Sequence, residues 1–516
     1  MTLAELLIGA GIARPPQVSE DALSRVVQDV VQDSRRVRPG SVFIARRGDK
    51  HDGHRFADKA VAQGAVAIVG SAPEAEQANF SWTRQVPYIY VLDDKLALAQ
   101  LAAQIYEHPS KAMHVTGITG TDGKTTTSFM LYHLLSGVYP TSLLSTAGIR
   151  VLAEPAQLEG HFTTPEASEV QMLLAKFQEA GSSHVVLESS SHGLAMKRLA
   201  EVDYDLAIWT NLTPEHLDFH KTFEAYREAK LELVQRAKVS VINLADANAG
   251  WFVDATQQAS GEVISYALQK TSGQKADADI NADWQAEVVR EDANGITWML
   301  RVPKLDVETD VLLPMVGRYN VENALAALTA AHHIGIPLDA LLERITTFSG
   351  VAGRMQRISS DLFNVPFSVI VDFAHTPDSL EKALTALRPQ VTGKLIVVVG
   401  AAGERDPGKR AGIGRVAVQH ADYAVFTEED SRSEHTKDIL SEIARSANQH
   451  ADEDKDFVRI EDRREAIHHA IHYAQAGDLV LLAGKGHETS LERAQETLTW
   501  DEAAEALNAL QRRNIG

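Results

Sequence analysis

The sequence predicts an α/β protein of three domains. A small N-terminal α/β domain is expected over 1–109. A central domain of the phosphate-loop type, with a mostly parallel sheet and added antiparallel strands, is expected over 110–350, and a Rossmann-like α/β domain over 351–516. Three observations carry this. At 516 residues the chain exceeds what one core serves, since a domain takes roughly 100 to 200 residues. Apolar runs of strand length alternate with helical stretches along most of it, the order expected of parallel sheets. One strand, AMHVTGIT, runs through the glycine loop GTDGKTTT into the apolar-periodic SFMLYHLLSG, a strand, loop and helix in succession.

Composition narrows the classes of function. With 44% hydrophobic and 23% charged residues the chain is an ordinary folded protein, not a disordered or fibrous one. A formal charge of -20 repels polyanions, which excludes general binding of nucleic acid or acidic membranes. The lack of cysteine removes disulfides, thiolate metal sites and a thiol nucleophile, and suits a reducing cytoplasm. MTLAELLIGAGIA contains Glu5 and lacks a basic n-region, so it reads as a short amphipathic helix, not a secretion signal. No stretch reaches the roughly 20 apolar residues that cross a bilayer. The expectation is a cytoplasmic monomer without membrane insertion.

In order along the chain, DSRRVRPG is a turn, GSVFIA a strand, DKAVAQG a helix and AVAIV a second strand. After the glycine loop, strands are expected at SHVVLE, DLAIWTN and VSVINL, separated by helices such as PEASEVQMLLAKFQEA. From about Gly261 to Val316 the pattern alternates in period two, as in AEVVRE and ITWMLRV, which predicts antiparallel strands. Beyond Gly350, FSVIVDF, KLIVVVG, DYAVFT and DLVLLAG are apolar runs, each followed by a polar loop and helical sequence. No repeat at solenoid spacing occurs.

The loop Gly120, Thr121, Asp122, Gly123, Lys124, Thr125, Thr126 is the strongest chemical signal. Backbone N–H groups and a helix N-terminus there can hold phosphate oxygens, with Lys124 toward the terminal phosphates and Thr125 toward magnesium. The strict phosphate-loop spacing would place glycine at 118, where the chain has Ile118. Glu188 ends the apolar run SHVVL, so it lies at the C-terminal end of a strand, where open α/β sheets bind ligands, and is a candidate ligand for a hard cation.

GTDGKTTT is similar to the nucleotide loop of the ATP-dependent Mur ligases, with Asp122 where that family usually has asparagine. FTTPEA, LESSSHGLAMKRL and TNLTPEHLDFHKTFEAYREAK follow in family order, and the resemblance covers about Asp33 to Glu488. It implies ATP and Mg2+ as cofactors. It also implies that Thr125, Glu188, His216 and a carbamylated Lys230 hold the metal. Asn320 and Asn323 of VGRYNVENALAAL are then placed beside the adenine. Arg354 of GRMQRI reaches the phosphates, Asp372 of VDFAHTPDS the ribose, and His375 lies near the nucleotide. Lys124, Glu188, His216, Lys230 and Arg354 form the implied catalytic set.

The N-terminal motifs resemble the branch of the family that adds the third peptide residue. That implies a UDP-N-acetylmuramoyl-dipeptide as substrate, held by Ser34, Thr163, Thr164, Ser190 and Arg198, and a diamino acid as its partner. The loops GERDPGKR, EEDSRSEH and AGKGHE look like the amino-acid site, with Arg405, Glu429, Asp430, Arg432, Gly484 and Glu488. Relatives adding meso-diaminopimelate show D-N-P-R where this chain has Glu429, Asp430, Ser431 and Arg432. The retained arginine favours diaminopimelate; the added charge of Asp430 and the lost proline fit lysine or ornithine. A folate polyglutamate ligase would share the central loop but not the N-terminal motifs, and a nucleotide-binding relative without catalysis is the rival from another class.

Overall fold

A computed structural model describes residues 1–16, 18–48, 52–73, 81–156, 164–269, 280–292, 295–358, 365–404 and 406–515. By its contacts the chain forms two compact units. The first holds Met1–Ala267, Asp277–Gln285 and Leu325–Leu341, and the second holds the remainder, including Leu342–Gly516.

In the first unit, strands β1 (Asp29–Val31), β2 (Ser41–Ala45), β3 (Ala67–Gly70) and β4 (Tyr88–Tyr90) pair in sequence order, all parallel. The larger sheet is built from β5 (His114–Thr119), β6 (Thr141–Ser145), β7 (Gly148–Val151), β8 (Glu154–Ala156), β9 (His184–Glu188), β10 (Tyr204–Trp209), β11 (Ala237–Asn243) and β12 (Glu262–Leu268). Their order is β12-β11-β10-β5-β9-β6-β7-β8, parallel from β12 to β6 and antiparallel at β7 and β8. Helices cover this sheet, so central strands read as near-continuous apolar runs. In β10 Leu206, Ala207, Ile208 and Trp209 are all fully buried, and Trp209 stacks on Phe252 at 3.9 Å.

The helix Ala167–Glu179 begins with a capping box between Glu166 and Glu169 and buries Val170, Leu173, Leu174 and Phe177, one face at helical spacing. Each such apolar side chain contributes about 1.5–3 kcal/mol when fully buried. The helix Phe223–Arg236 buries Tyr226, Lys230, Leu233 and Val234. Lys230 therefore sits inside the helix on the buried stripe, not at the helix end. The apolar positions Leu231, Leu233 and Val234 carry the helix one and a half turns further.

The period-two region also differs from expectation at its first strand. β12 pairs in parallel with β11 and continues the main sheet. β13 (Trp284–Asp292) follows, and in the second unit β14 (Gly295–Val302) and β15 (Val307–Leu313) form the expected antiparallel pair. Alternation reports one-sided burial, not strand direction.

The second unit's main sheet consists of β16 (Gln356–Ile358), β17 (Ser368–Asp372), β18 (Leu395–Val399), β19 (Tyr423–Phe426), β20 (Phe457–Arg459) and β21 (Leu479–Ala483), in the order β16-β17-β21-β18-β19-β20. All pairs are parallel except β16 with β17. A short hairpin, β22 (Ser490–Glu492) and β23 (Thr497–Thr499), follows. Among the described residues no helix is long and apolar enough to cross a membrane.

Candidate functional site

The glycine loop leaves β5 and enters the helix Lys124–Leu135. Its shape requires glycine. Gly120 and Gly123 have φ of 154° and 83°, and a Cβ on Gly120 would fall 1.8 Å from Thr210 Oγ1. The segment leaving β10 holds the loop in place. Thr121 N donates to Asn211 O (3.0 Å), Asp122 N to Asn211 Oδ1 (2.8 Å), and Thr210 Oγ1 to Asp122 O (2.6 Å). Thr121 Oγ1 lies 2.9 Å from the buried Tyr226 hydroxyl. Lys124 Nζ donates to Thr121 O at 2.7 Å, so the ammonium folds over the loop. Thr126 is half-buried in the helix's first turn. Sequence reasoning missed Thr210, Asn211 and Tyr226 as loop supports, although all three stand inside the motif TNLTPEHLDFHKTFEAYREAK.

Glu188, buried at the end of β9, is held by neutral donors. Thr125 Oγ1 shares its proton between the two carboxylate oxygens (3.0 and 3.1 Å), and Ser145 Oγ and Thr146 N (3.0 Å) donate to Oε2. Among the described residues no cation is hydrogen-bonded to it, and its partners are dipoles. Lys230 is almost wholly buried, its Nζ 2.5 Å from Gly120 O and 4.7 Å from the Tyr226 ring centre. Burial, followed by the repulsion of Lys124, pushes its pKa well below the ordinary lysine value, against the pull of Glu215, Asp122 and Glu188. The structure therefore brings the loop, Thr125, Glu188 and Lys230 together. His216 is half-exposed in a left-handed conformation (φ 55°), with Nε2 3.5 Å from Glu215 and its ring against His192 at 4.7 Å. Glu215, its neighbour in TPEH, was not singled out from sequence.

For magnesium, the oxygen donors on offer are Glu188 and the Thr125 hydroxyl, which suit a hard cation. Among the described residues no group of three His, Asp or Glu side chains could hold a metal ion. Lys230 adds to the set only as a carbamate, and the neutral amine that burial favours is the form that takes up carbon dioxide.

The residues expected to hold the UDP-peptide also gather in the first unit. Thr164 Oγ1 lies 2.8 Å from Ser190 Oγ, which caps the helix Ser191–Ala195 through Gly193 N. Arg198 donates to Thr164 O (2.8 Å) and Glu166 (2.6 Å). Glu166 also takes Arg46 at 2.8 Å, and Arg36 reaches Glu169 at 2.8 Å, so the strand β2 and the DSRR turn are tied to the start of helix Ala167–Glu179. Ser34 is buried in that turn. Arg46, Arg36, Glu166 and Glu169 were not foreseen; only their spacing around the turn and the capping box hinted at them. Thr163 lies outside the described residues.

In the second unit, Asn320 Nδ2 donates to Val316 O (2.7 Å) and Asn323 Nδ2 to Asn320 Oδ1 (3.1 Å), both at the start of helix Tyr319–Ile334 and both buried. Arg354 stacks over Phe373, its Cζ 4.6 Å from the ring centre. Asp372 at the end of β17 accepts Met355 N (2.8 Å) and Ala374 N (2.9 Å). Burial raises its pKa, opposed first by Arg354. His375 Nδ1 is 2.9 Å from Phe373 O, and Phe373 also packs on His487 at 4.9 Å. Arg354, Asp372 and His375 thus form one cluster.

The amino-acid loops converge at the C-terminal ends of β18, β19 and β21. Arg432 (φ 50°) donates through Nε to Glu492 (2.9 Å) and through NH1 to Gly403 O (2.8 Å). Asp430 accepts the fully buried Lys485 (2.8 Å) and Glu492 N (3.0 Å), and Lys485 also contacts Glu488 at 2.5 Å. Glu429 is buried against Gly484, where a Cβ would lie 3.0 Å from its Oε2. Desolvation pushes its pKa up to about 7, against the pull of Arg463 and Lys485. Beneath these loops Arg463, fully buried, pairs with Glu502 (2.6 Å) and donates to Glu428 O and Ala483 O. Lys485, Glu492 and Arg463 were missed; Lys485 alone had a signal, the basic residue inside AGKGHE. Arg405 lies outside the described residues.

Residues 27–106 match the Mur ligase family catalytic domain, 118–331 the Mur ligase middle domain and 353–486 the Mur ligase glutamate ligase domain. A Deinococcus radiodurans protein named UDP-N-acetylmuramyl-tripeptide synthetase is 44% identical, the match covering 99% of this chain and 100% of that one. A Syntrophomonas wolfei protein named UDP-N-acetylmuramoyl-L-alanyl-D-glutamate–2,6-diaminopimelate ligase is 35% identical, covering 99% of each. A solved structure of a ligase of the latter name superposes with a TM-score of 0.66 at 30% identity, covering 99% of both chains. The chain belongs to the Mur ligase family, whose members are ATP-dependent, amide-bond-forming enzymes of peptidoglycan precursor synthesis.

Proposed function

We propose that this ligase joins a diamino acid to UDP-N-acetylmuramoyl-L-alanyl-D-glutamate, using ATP and magnesium, with 1–109 serving the UDP-substrate, 110–350 the nucleotide and 351–516 the amino acid. The observation that carries the reading is the convergence of Thr125, Glu188 and Lys230 on the Gly120–Thr126 loop. A carboxylate does not exchange its oxygen for an amine unaided, so it attacks the ATP γ-phosphorus, the bond to the β-phosphate breaks, ADP leaves, and the carboxylate becomes an acyl phosphate. Lys124 neutralises charge that grows on the transferring phosphoryl group. Magnesium, held by Glu188, Thr125, His216 and Lys230 as a carbamate, would supply the remaining positive charge at the phosphates. The neutral α-amine of the incoming amino acid then attacks the acyl carbon, loses a proton, and phosphate leaves as the amide forms.

Arg198, Thr164 and Ser190 offer charge-assisted and hydroxyl hydrogen bonds suited to a sugar diphosphate. Arg354, Asp372, His375, Asn320 and Asn323 are the groups for the rest of the nucleotide. The diamino acid is either meso-diaminopimelate, toward which the retained Arg432 points, or an amino acid of the lysine or ornithine kind. Phosphate release tests the reading: it should require ATP, the UDP-dipeptide and a diamino acid together. Release independent of the UDP-dipeptide, or none under any combination, overturns it.

A further inference from the structure

Three arginines meet at the start of the helix Ala167–Glu179, and the acids beside them do not cancel their charge. Arg36 pairs with Glu169 at 2.8 Å. Arg46 and Arg198 both pair with Glu166, Arg46 NH1 with Oε2 at 2.8 Å and Arg198 NH2 with Oε1 at 2.6 Å. Among the described residues of this group, three cations thus share two carboxylates. This is a local positive excess in a chain whose formal charge is -20. Two guanidiniums this close repel each other, and a carboxylate between them offsets that repulsion while leaving one charge over for a ligand.

The excess has a direction. Arg46 NH1 also donates to Gln32 Oε1, so that nitrogen is held from two sides. Arg46 Nε and NH2 make no hydrogen bond among the described residues, and the side chain is 17% exposed, so this edge is not sealed. The Nε and NH2 edge of a guanidinium is a fork of parallel donors that fits a phosphate or a carboxylate. On the other oxygen of Glu166, Arg198 also holds Thr164 O, and Thr164 Oγ1 lies 2.8 Å from Ser190 Oγ. Gln32 stands two positions before the buried Ser34. Arg46 therefore joins the Ser34 turn to the Arg198 and Thr164 cluster.

We propose that Arg46 is a further contact residue for an anionic group of the UDP-substrate, and that Glu166 is a positioning residue that sets Arg46 beside Arg198. This rests on the ligase reading above and adds to it an arginine that the motifs did not supply. The anionic group is the diphosphate or a carboxylate of the dipeptide, since each accepts two parallel N–H donors.

The test is phosphate release by the full chain, with KM for the UDP-dipeptide and for ATP followed as salt is raised. Arg46→Gln should raise KM for the UDP-dipeptide about tenfold, as expected for one lost charge-assisted hydrogen bond, and leave KM for ATP unchanged. It should also make KM for the UDP-dipeptide less sensitive to salt, which a merely structural arginine would not do. Arg46→Lys keeps the charge without the fork and should fall between. An unchanged KM for the UDP-dipeptide in either variant overturns the proposal and leaves the ligase reading intact. No phosphate release from the unaltered protein overturns the ligase reading itself. Calorimetry with UDP alone separates the two anions. Weaker UDP binding by Arg46→Gln assigns the diphosphate, and weaker binding of the UDP-dipeptide with UDP unaffected assigns a dipeptide carboxylate. Unaltered binding of both removes Arg46 from the site. Glu166→Gln should raise the same KM, and combined with Arg46→Gln it should cost less than the product of the separate effects, because the carboxylate acts through that arginine. Full multiplication of the two effects would deny Glu166 its positioning role.

Discussion

Glu188 and Glu429 are both buried carboxylates near the C-terminal ends of parallel strands, and the protein treats them in opposite ways. Glu188 receives two hydroxyls and a backbone N–H. Glu429 has a buried oxygen that receives no hydrogen bond among the described residues, and desolvation pushes its pKa up to about 7. Around Glu188 the supports are neutral and the charge is left available. Around Glu429 the neighbouring charges are spent on each other, Arg432 on Glu492 and Lys485 on Asp430. A carboxylate fixed by dipoles is ready for a mobile dication; a cluster fixed by ion pairs has its charge preference set before any ligand arrives.

The largest effect expected from this contrast is at the neutral-donor site. There the chain supplies few charges of its own, so losing one should be severe. Lys124→Ala should lower the rate of phosphate release by about 10²–10³, the usual consequence of removing one electrostatic stabiliser of a transition state. Turnover close to that of the unaltered enzyme would take Lys124 out of phosphoryl transfer.

The ion-paired site should instead respond in stability. Arg463 is fully buried, pairs with Glu502, and ties the carbonyls of Glu428 and Ala483 beneath the amino-acid loops. Arg463→Met leaves Glu502 buried without its partner and should cost about 3–5 kcal/mol in urea unfolding. A loss below about 1 kcal/mol would mean that the pair is a passenger of the packing.

Lys230 tests whether the neutral-donor site recruits an anion made from a lysine. Lys230→Ala should lower activity by about 10² and recover part of it when short-chain carboxylic acids are added, since these can stand where a carbamate would. Full activity without the additive would show that the buried amine is structural. The recovery separates this from a folding defect, which added acids would not repair.

How much of this was legible follows the same division. The phosphate loop, Glu188 at its strand end and the parallel alternation of both large sheets were readable because local pattern sets them: a glycine where φ is positive, an apolar run buried on both faces, a polar residue just past it. The mid-helix burial of Lys230 was not, because the stripe that buries it is completed by residues beyond the motif. β12 looked antiparallel for a related reason, as its alternation is the same whichever way its neighbour runs. The pairing of Arg432 with Glu492 was invisible: the two are sixty positions apart, and nothing in either segment names the other. Long-range ion pairs shape the amino-acid loops, so that is where sequence reading stops.

The smallest effect expected is a pH dependence carried by Glu429. Glu429 has a native pKa near 7 against an ordinary glutamate value of 4.5. The native state thus holds a proton there between those values that the unfolded chain has released. Stability from this group is therefore undiminished below about pH 4.5 and lost as pH rises toward 7. The loss amounts to roughly 3 kcal/mol, the value of a shift from 4.5 to about 7. Unfolding measured from pH 4.5 to 7.5 should show Glu429→Gln gaining on the unaltered protein as pH rises, because the amide cannot ionise. If Glu429→Gln tracks the unaltered protein across that range, the Glu429 oxygen is not stranded, and its contrast with Glu188 fails.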